Sequence, residues 1–193
     1  PFNNELDILE MRLTELHSAV DAFVLVEASV DHKDHPKPLY YAEHKERFSP
    51  WADKIVHVIA GPMPTKAQDD DPWAREHAQR EYIADGLNRI EVTDDDVILQ
   101  SDVDEIPRAL QARNVRPAGL LTFGQRGHFW AVDWLYPVPW YGTVAATVRT
   151  LKRYTTRPFA HMRDTRLTAD CPPHLQDAGW HFSWLGGPDA AMQ

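Results

Sequence analysis

The apolar residues Leu6, Leu9, Leu13, Leu16 and Val20 recur three or four positions apart, the spacing of one helix face. This predicts an amphipathic helix over residues 5–19. Asn4 is its expected N-cap, with Glu5 and Asp7 in the first turn, where the helix dipole favours negative charge. The period then changes. AFVLVEA (22–28) and KIVHVIA (54–60) are short unbroken apolar runs, as in strands covered on both faces. DHKDHPKP between them reads as a polar loop. Residues 61–72 also read as loop, and Asp71 followed by Pro72 predicts a helix over WAREHAQREYIADGLNRI. DVILQ (96–100) is a third buried strand, and GLLTF (119–123), HFWAVDWL (128–135) and VAATVRTL (144–151) predict later ones. The order predicts an α/β fold with a mostly parallel sheet in its first half.

One stretch breaks this pattern. VILQSDVDEIP (97–107) takes an apolar strand directly into Asp102, Asp104 and Glu105. In an open α/β sheet, ligands bind at the carboxyl ends of the strands. Two carboxylates two residues apart in an extended segment point to the same side and repel one another. Mg²⁺ or Mn²⁺, held by carboxylates and substrate phosphates, relieves that repulsion; a solvated acidic turn is the plain alternative. Glu105 orients a ligand, touches an acceptor or caps the next turn. The acidic triplets at 69–71 and 94–96 read as solvated.

Net charge is −9, from 20 basic and 29 acidic residues, which argues against a nucleic-acid partner. No apolar run is long enough for a membrane span. Cys171 is the sole cysteine, so no internal disulfide can form. The 193 residues suit one domain. The start at PFNNELDILE suggests a piece trimmed from a longer chain.

SDVDEIP after an apolar strand, PFNNELDILEMRL, KPLYY, WAREHAQR and AGWHFSW, in that order, resemble glycosyltransferase family 17. The resemblance runs from about Pro1 to Trp184. It implies a GT-A-type fold with a mostly parallel central sheet flanked by helices, whose first strand would precede Pro1. It also implies a UDP-sugar donor such as UDP-GlcNAc, a glycan acceptor, a divalent cation on Asp102 and Asp104, and inverting transfer of N-acetylglucosamine. A further segment is expected beyond GWHFSWLGG.

Under this reading Glu27, at the end of the second strand of that fold, touches the nucleobase or ribose, or merely caps a strand. Arg75 and Arg80 lie about 140° apart around a helix. Arg75, with Gln79 one turn on, is therefore the better donor contact, and Arg80 reads as a surface arginine. Lys37, between prolines, meets phosphate or solvent. His181 is a third metal ligand, and Trp180 and Trp184 stack on the acceptor. Inversion needs a general base, for which Asp177 and Asp133 are the candidates. A metal-dependent phosphohydrolase and a non-catalytic sugar-binding module are the rival functions. The first fits poorly, because Glu105, Ile106 and Pro107 follow the second aspartate where such enzymes place other residues. A bacterial cytoplasmic location is expected, with the Golgi lumen as the alternative for a trimmed eukaryotic chain.

Overall fold

The computed structural model describes residues 2–31, 35–65, 68, 69, 71, 73–166 and 172–185. Helix α1 (Leu6–Leu16) forms where its stripe predicts and buries Ile8, Leu9, Leu13 and Leu16. Its cap is Glu5, not Asn4. The Glu5 carboxylate instead accepts the Asn3 N–H at 3.0 Å. Fully burying each of these side chains stabilises the fold by about 1.5–3 kcal/mol.

Strands β1 (Phe23–Glu27) and β2 (Ile55–Ile59) pair in parallel, with Phe23 opposite Ile55 and Glu27 opposite Ile59. The connection carries a helical turn, α2 (Tyr40–Glu43), and a 3₁₀ segment, Lys45–Trp51, whose Phe48 packs on Tyr41 with ring centroids 5.4 Å apart. The helix expected after residue 72 is two, α3 (Ala74–Glu81) and α4 (Ile83–Leu87). The N-cap of α3 is Trp73, not the expected Asp71, which instead shapes the turn before the helix: its carboxylate accepts the Trp73 N–H and its carbonyl the Ala74 N–H, both at 3.0 Å. Pro72 lies outside the described residues. A Cβ on Gly86 would come within 2.3 Å of Val24, so α4 lies directly against β1.

Strand β3 (Val97–Gln100) leads through the acidic turn to β4 (Glu105–Pro107) and α5 (Ala109–Asn114). Then follow β5 (Leu121–Phe129), β6 (Trp140–Thr147), α6 (Val148–Leu151), α7 (Pro158–Thr165), β7 (His174–Leu175) and β8 (Gly179–Ser183). The larger sheet has the order β3-β6-β5-β8-β4, with β7 beside β5.

The fold is therefore mixed α/β, and the expected mostly parallel sheet is corrected. Among the named strands pairing is antiparallel at β3/β6, β5/β6 and β4/β8, and parallel at β1/β2, β5/β7 and β5/β8. β5 and β6 are joined by a loop alone, which suffices for antiparallel neighbours, whereas parallel ones need a longer crossover.

Two strand boundaries also move. The strand expected over 128–135 ends at Phe129, because Trp130 turns to φ 61° and breaks the extended backbone. The run 144–151 splits at Thr147, whose hydroxyl accepts the Thr150 N–H at 3.1 Å and caps α6. Helix α7 was not anticipated, although Pro158 in its first turn is a start signal.

Candidate active site

The carboxyl ends of β1 and β3 open onto one cavity of about 290 Å³. Asn3, Lys37, Gln79, Arg80, Asp102 and Asp104 are among its lining residues. The residues between β3 and β4 form a turn rather than an extended segment, yet both aspartates reach the cavity. Arg12 of α1 holds this turn from below. It donates to the Asp102 carbonyl at 3.1 Å, the Glu105 carbonyl at 2.7 Å and the Ser101 hydroxyl at 2.7 Å. Burial lowers the Arg12 pKa, and the acids of the turn oppose that fall.

Asp102 is committed on both oxygens. Arg80 donates to Oδ1 at 2.8 Å, and Arg163 of α7 donates to Oδ2. Burial on its own would raise this carboxyl, but Arg80 and Arg163 outweigh it and hold it well below the carboxylate range. About 26% of the Asp102 side chain stays open to solvent. Arg80 also pairs with Glu76 one turn earlier. Far from being a surface arginine, Arg80 is buried, because α3 is covered by β1 on one side and α7 on another.

Glu105 is fully buried, which corrects its placement as an acceptor contact. It accepts the Asp102 N–H at 2.9 Å, Trp140 Nε1–H at 2.7 Å, and Arg163 Nη1–H at 2.6 and 2.8 Å. Burial favours its neutral form, yet Arg163 prevails and its pKa falls; the Arg163 pKa rises in turn, against its own burial. Arg166 stands at the edge of this cluster, its pKa lowered by burial and by Arg163.

Asp104 takes a different partner. His181 Nε2 lies 3.3 Å from its Oδ2. The imidazole stacks on Trp140, centroids 4.3 Å apart and planes 12° from parallel, and its Nδ1 is buried without a partner. Among the described residues no three His, Cys, Asp or Glu side chains converge on a ready-made metal cage. Asp104 and His181 form a mixed O/N pair of the kind that could hold a Mn²⁺-like ion. Asp102, spent on arginines, stands behind that pair.

The remaining sequence candidates separate. Gln79 lines the cavity while its Nε2 donates to the Val26 carbonyl at 3.3 Å. Lys37 lines it too, with Nζ 5.4 Å from the Tyr40 ring; burial lowers its pKa, and Glu27, Glu5 and Asp31 oppose that. Arg75 is buried but does not line the cavity. Glu27 is fully buried, and its carboxylate accepts the Tyr41 N–H at 3.0 Å and meets His57 Nε2 at 3.1 Å, so it braces α2 rather than a nucleobase.

Asp177 sits in a turn at φ 48°, 3.1 Å from Arg108 and 2.8 Å from Arg126. The Arg108 hydrogen bond lowers its pKa, which weakens it as a base. Trp180 packs against the α1 core with Arg108 4.3 Å over its ring, so its face is not free for an acceptor. Trp184 is exposed, and so is Asp133, which engages none of the described residues.

Sequence reasoning missed Arg12, Arg163 and an aromatic lip. Trp130, Trp134, Tyr136 and Trp184 are all exposed where β5 and β8 end. The lip is anchored by Phe129 N–H to the Trp134 carbonyl at 3.0 Å and Trp130 N–H to the Ser183 carbonyl at 3.1 Å. Phe129 links it to the partner of Asp104, meeting both Trp184 and His181 edge to face.

No solved structure matches this chain. It resembles the human, rat and mouse proteins named beta-1,4-mannosyl-glycoprotein 4-beta-N-acetylglucosaminyltransferase. Identity is 27%, 27% and 26%, in alignments covering 97% of this chain. The chain spans only 40%, 39% and 39% of those proteins. These mammalian relatives overturn the expectation of a bacterial cytoplasmic enzyme and are consistent with the luminal alternative. Among the described residues no helix is long and apolar enough to cross a membrane. The sequence model of one family matches residues 1–185, from α1 through the aspartates to the end of β8, and so the chain belongs to glycosyltransferase family 17.

Proposed function

We propose that this chain is the catalytic core of a GT-A-type, metal-dependent, inverting glycosyltransferase. It transfers N-acetylglucosamine from a UDP-sugar to a glycan hydroxyl. The observation that carries this reading is the convergence of Asp102 and Asp104 on one cavity, with Asp104 against His181. Acidic side chains outnumber basic ones around that cavity, and Arg80 is already neutralised by Asp102 and Glu76. An anionic diphosphate needs a cation there to enter. A divalent ion held by Asp104 and His181 would supply Lewis acidity to the leaving nucleoside diphosphate. Lys37 and Gln79 bind and orient the donor from the opposite wall.

The acceptor lies along the aromatic lip, its apolar sugar faces on Trp130, Trp134 and Trp184. Asp133, with its free carboxylate on the same lip, takes the proton of the attacking hydroxyl. A phosphohydrolase would use the first aspartate as nucleophile, a role that two arginines on Asp102 oppose.

The test is thermal unfolding with UDP-GlcNAc, with and without Mn²⁺, on the parent chain and on Asp104→Asn. Bound ligand raises the melting temperature by mass action, by about 2.7 kcal/mol of stability at a hundred times Kd. The parent is expected to rise only when both are present, and Asp104→Asn not to rise. A parent melting temperature that ignores both ligands overturns the reading.

A further inference from the structure

A histidine that serves a metal ion is ordinarily aimed by a hydrogen bond from its other ring nitrogen. His181 has no such bond. Its Nε2 lies 3.3 Å from Asp104 Oδ2, while Nδ1 is buried and has no partner among the described residues. The backbone of β8 places the residue. His181 stands opposite Glu105 of β4 on one side and Gly127 of β5 on the other, and the Phe182 N–H donates to the Asp104 carbonyl at 2.9 Å. None of these contacts sets the plane of the ring. The second side-chain torsion of histidine is broad, so the imidazole needs another constraint to keep Nε2 on the aspartate.

Trp140 supplies it. Trp140 opens β6, which is separated from β8 by β5. Two strand spacings, about 10 Å, lie between the two backbones. The indole spans that distance and lies face to face with the imidazole, centroids 4.3 Å apart and planes 12° from parallel. Phe129 meets the imidazole at 84°, with 6.4 Å between centroids. A stacked contact and an edge contact together leave the ring one plane.

The indole is pinned in turn. Its Nε1–H donates to Glu105 Oε1 at 2.7 Å, and the other Glu105 oxygen accepts the Asp102 N–H at 2.9 Å. A Cβ at Gly142 would lie 2.7 Å from Glu105 Cδ, so glycine at that position of β6 leaves room for the carboxylate to reach the indole. Arg166 stands 5.0 Å over the Trp140 ring. One side chain therefore ties together the acidic turn, through Glu105, and His181, through its ring face.

We propose that Trp140 is a positioning residue of the site. Its indole face takes the place of the absent Nδ1 hydrogen bond and holds the His181 imidazole with Nε2 toward Asp104. Trp140 acts through His181, and the inference rests on the reading that Asp104 and His181 hold a divalent cation. A pair set in advance spares an incoming ion the ordering of its own ligands.

The test uses Trp140→Phe, which keeps a stacking ring and loses the N–H, and Trp140→Leu, which loses both. His181→Ala is made alone and together with Trp140→Leu. In the metal-free chain, NMR reads the stack through the ring-current shift of the His181 ring protons. The parent and Trp140→Phe are expected to keep that shift, and Trp140→Leu to lose it. Mn²⁺ alone is then titrated, with the free ion counted by electron paramagnetic resonance. Trp140→Leu should weaken Mn²⁺ binding by about tenfold or more, and Trp140→Phe by no more than about threefold. On the His181→Ala background Trp140→Leu should change the affinity less than about twofold, because the indole has no ring left to position. A tryptophan that only supports the fold predicts equal losses on both backgrounds. That additivity, or a His181 shift that survives Trp140→Leu, overturns the proposal. The parent decides the case in which Trp140→Leu does not fold: a parent whose His181 protons show no ring-current shift overturns it as well. A parent with the shift that binds no Mn²⁺ strikes the cation reading and leaves the hold of Trp140 on His181 standing.

Discussion

Arg163→Met isolates the ion cluster beneath the site. Arg163 bridges two carboxylates, Asp102 and Glu105, and its side chain is 11% exposed. Methionine keeps much of the packing volume and removes the charge. Asp102 retains Arg80, but Glu105 is left fully buried with only the Trp140 and Asp102 N–H groups. Removing one partner of a buried pair costs about 3–5 kcal/mol, because the remaining charge stays desolvated. For a chain of this size that is a fall in melting temperature of about 10 °C.

The pH dependence gives a sharper check. In the parent the Glu105 pKa lies below its ordinary value. Its contribution is present above the unfolded pKa and is lost as pH falls through the folded one. In the variant burial outweighs the two remaining N–H donors and the charge of Arg166, so the Glu105 pKa is expected to rise above the unfolded value near 4.3. Acidification from pH 8 to 5 then protonates the folded state first and stabilises the variant, and the gap from the parent narrows. Adding Glu105→Gln to Arg163→Met removes the orphan charge and should restore about half the loss. The assay is urea unfolding from pH 5 to 8 with a chelator present. A loss under about 1 kcal/mol, or a gap that does not change with pH, would refute the reasoning.

Two further changes probe the lip and the seat of Glu105. Trp134→Ala, at a residue 59% exposed, should raise the acceptor KM about tenfold and leave the donor KM unchanged. Its melting temperature should stay within about 2 °C of the parent, as for a surface change; steady-state kinetics with each substrate varied in turn, beside a melting curve, decide it. Gly142→Ala would place a Cβ 2.3 Å from Gln125 Oε1 and 2.7 Å from Glu105 Cδ. It should destabilise by about 1–3 kcal/mol through overpacking, measured by chemical unfolding.

The parts of the site that sequence reading found are those whose signal is local. Asp102 and Asp104 stand out because an apolar strand ends in them. Strand direction was not legible, since an apolar run reports that both faces are covered and not which way its neighbour runs, and the apolar β3 pairs antiparallel with β6. Arg80 was misread because an angular argument on one helix assumes a single buried face, and α3 has two. Arg12 and Arg163 lie 90 and 61 residues from Asp102, so no spacing rule pairs them with it. One hint was present: Arg12 stands three residues from Leu9 and four from Leu16, at the edge of the buried stripe of α1. Glu105 read as a ligand contact or a turn cap because it follows Asp102 and Asp104 at the end of an apolar strand. Its burial needs Arg163, Trp140 and the Asp102 N–H at once, which only the tertiary fold assembles.

The tether from α1 to the acidic turn divides the labour between the two walls of the cavity. Arg12 ties the backbone from Ser101 to Glu105 to a helix whose apolar face is sunk in the core. That wall acts as an anvil. The same cavity is also lined by Val30, Asp31 and Lys37, which stand outside any helix or named strand, so adjustment to ligands of different size falls to them. Changes there would reshape the cavity while the anvil stays fixed.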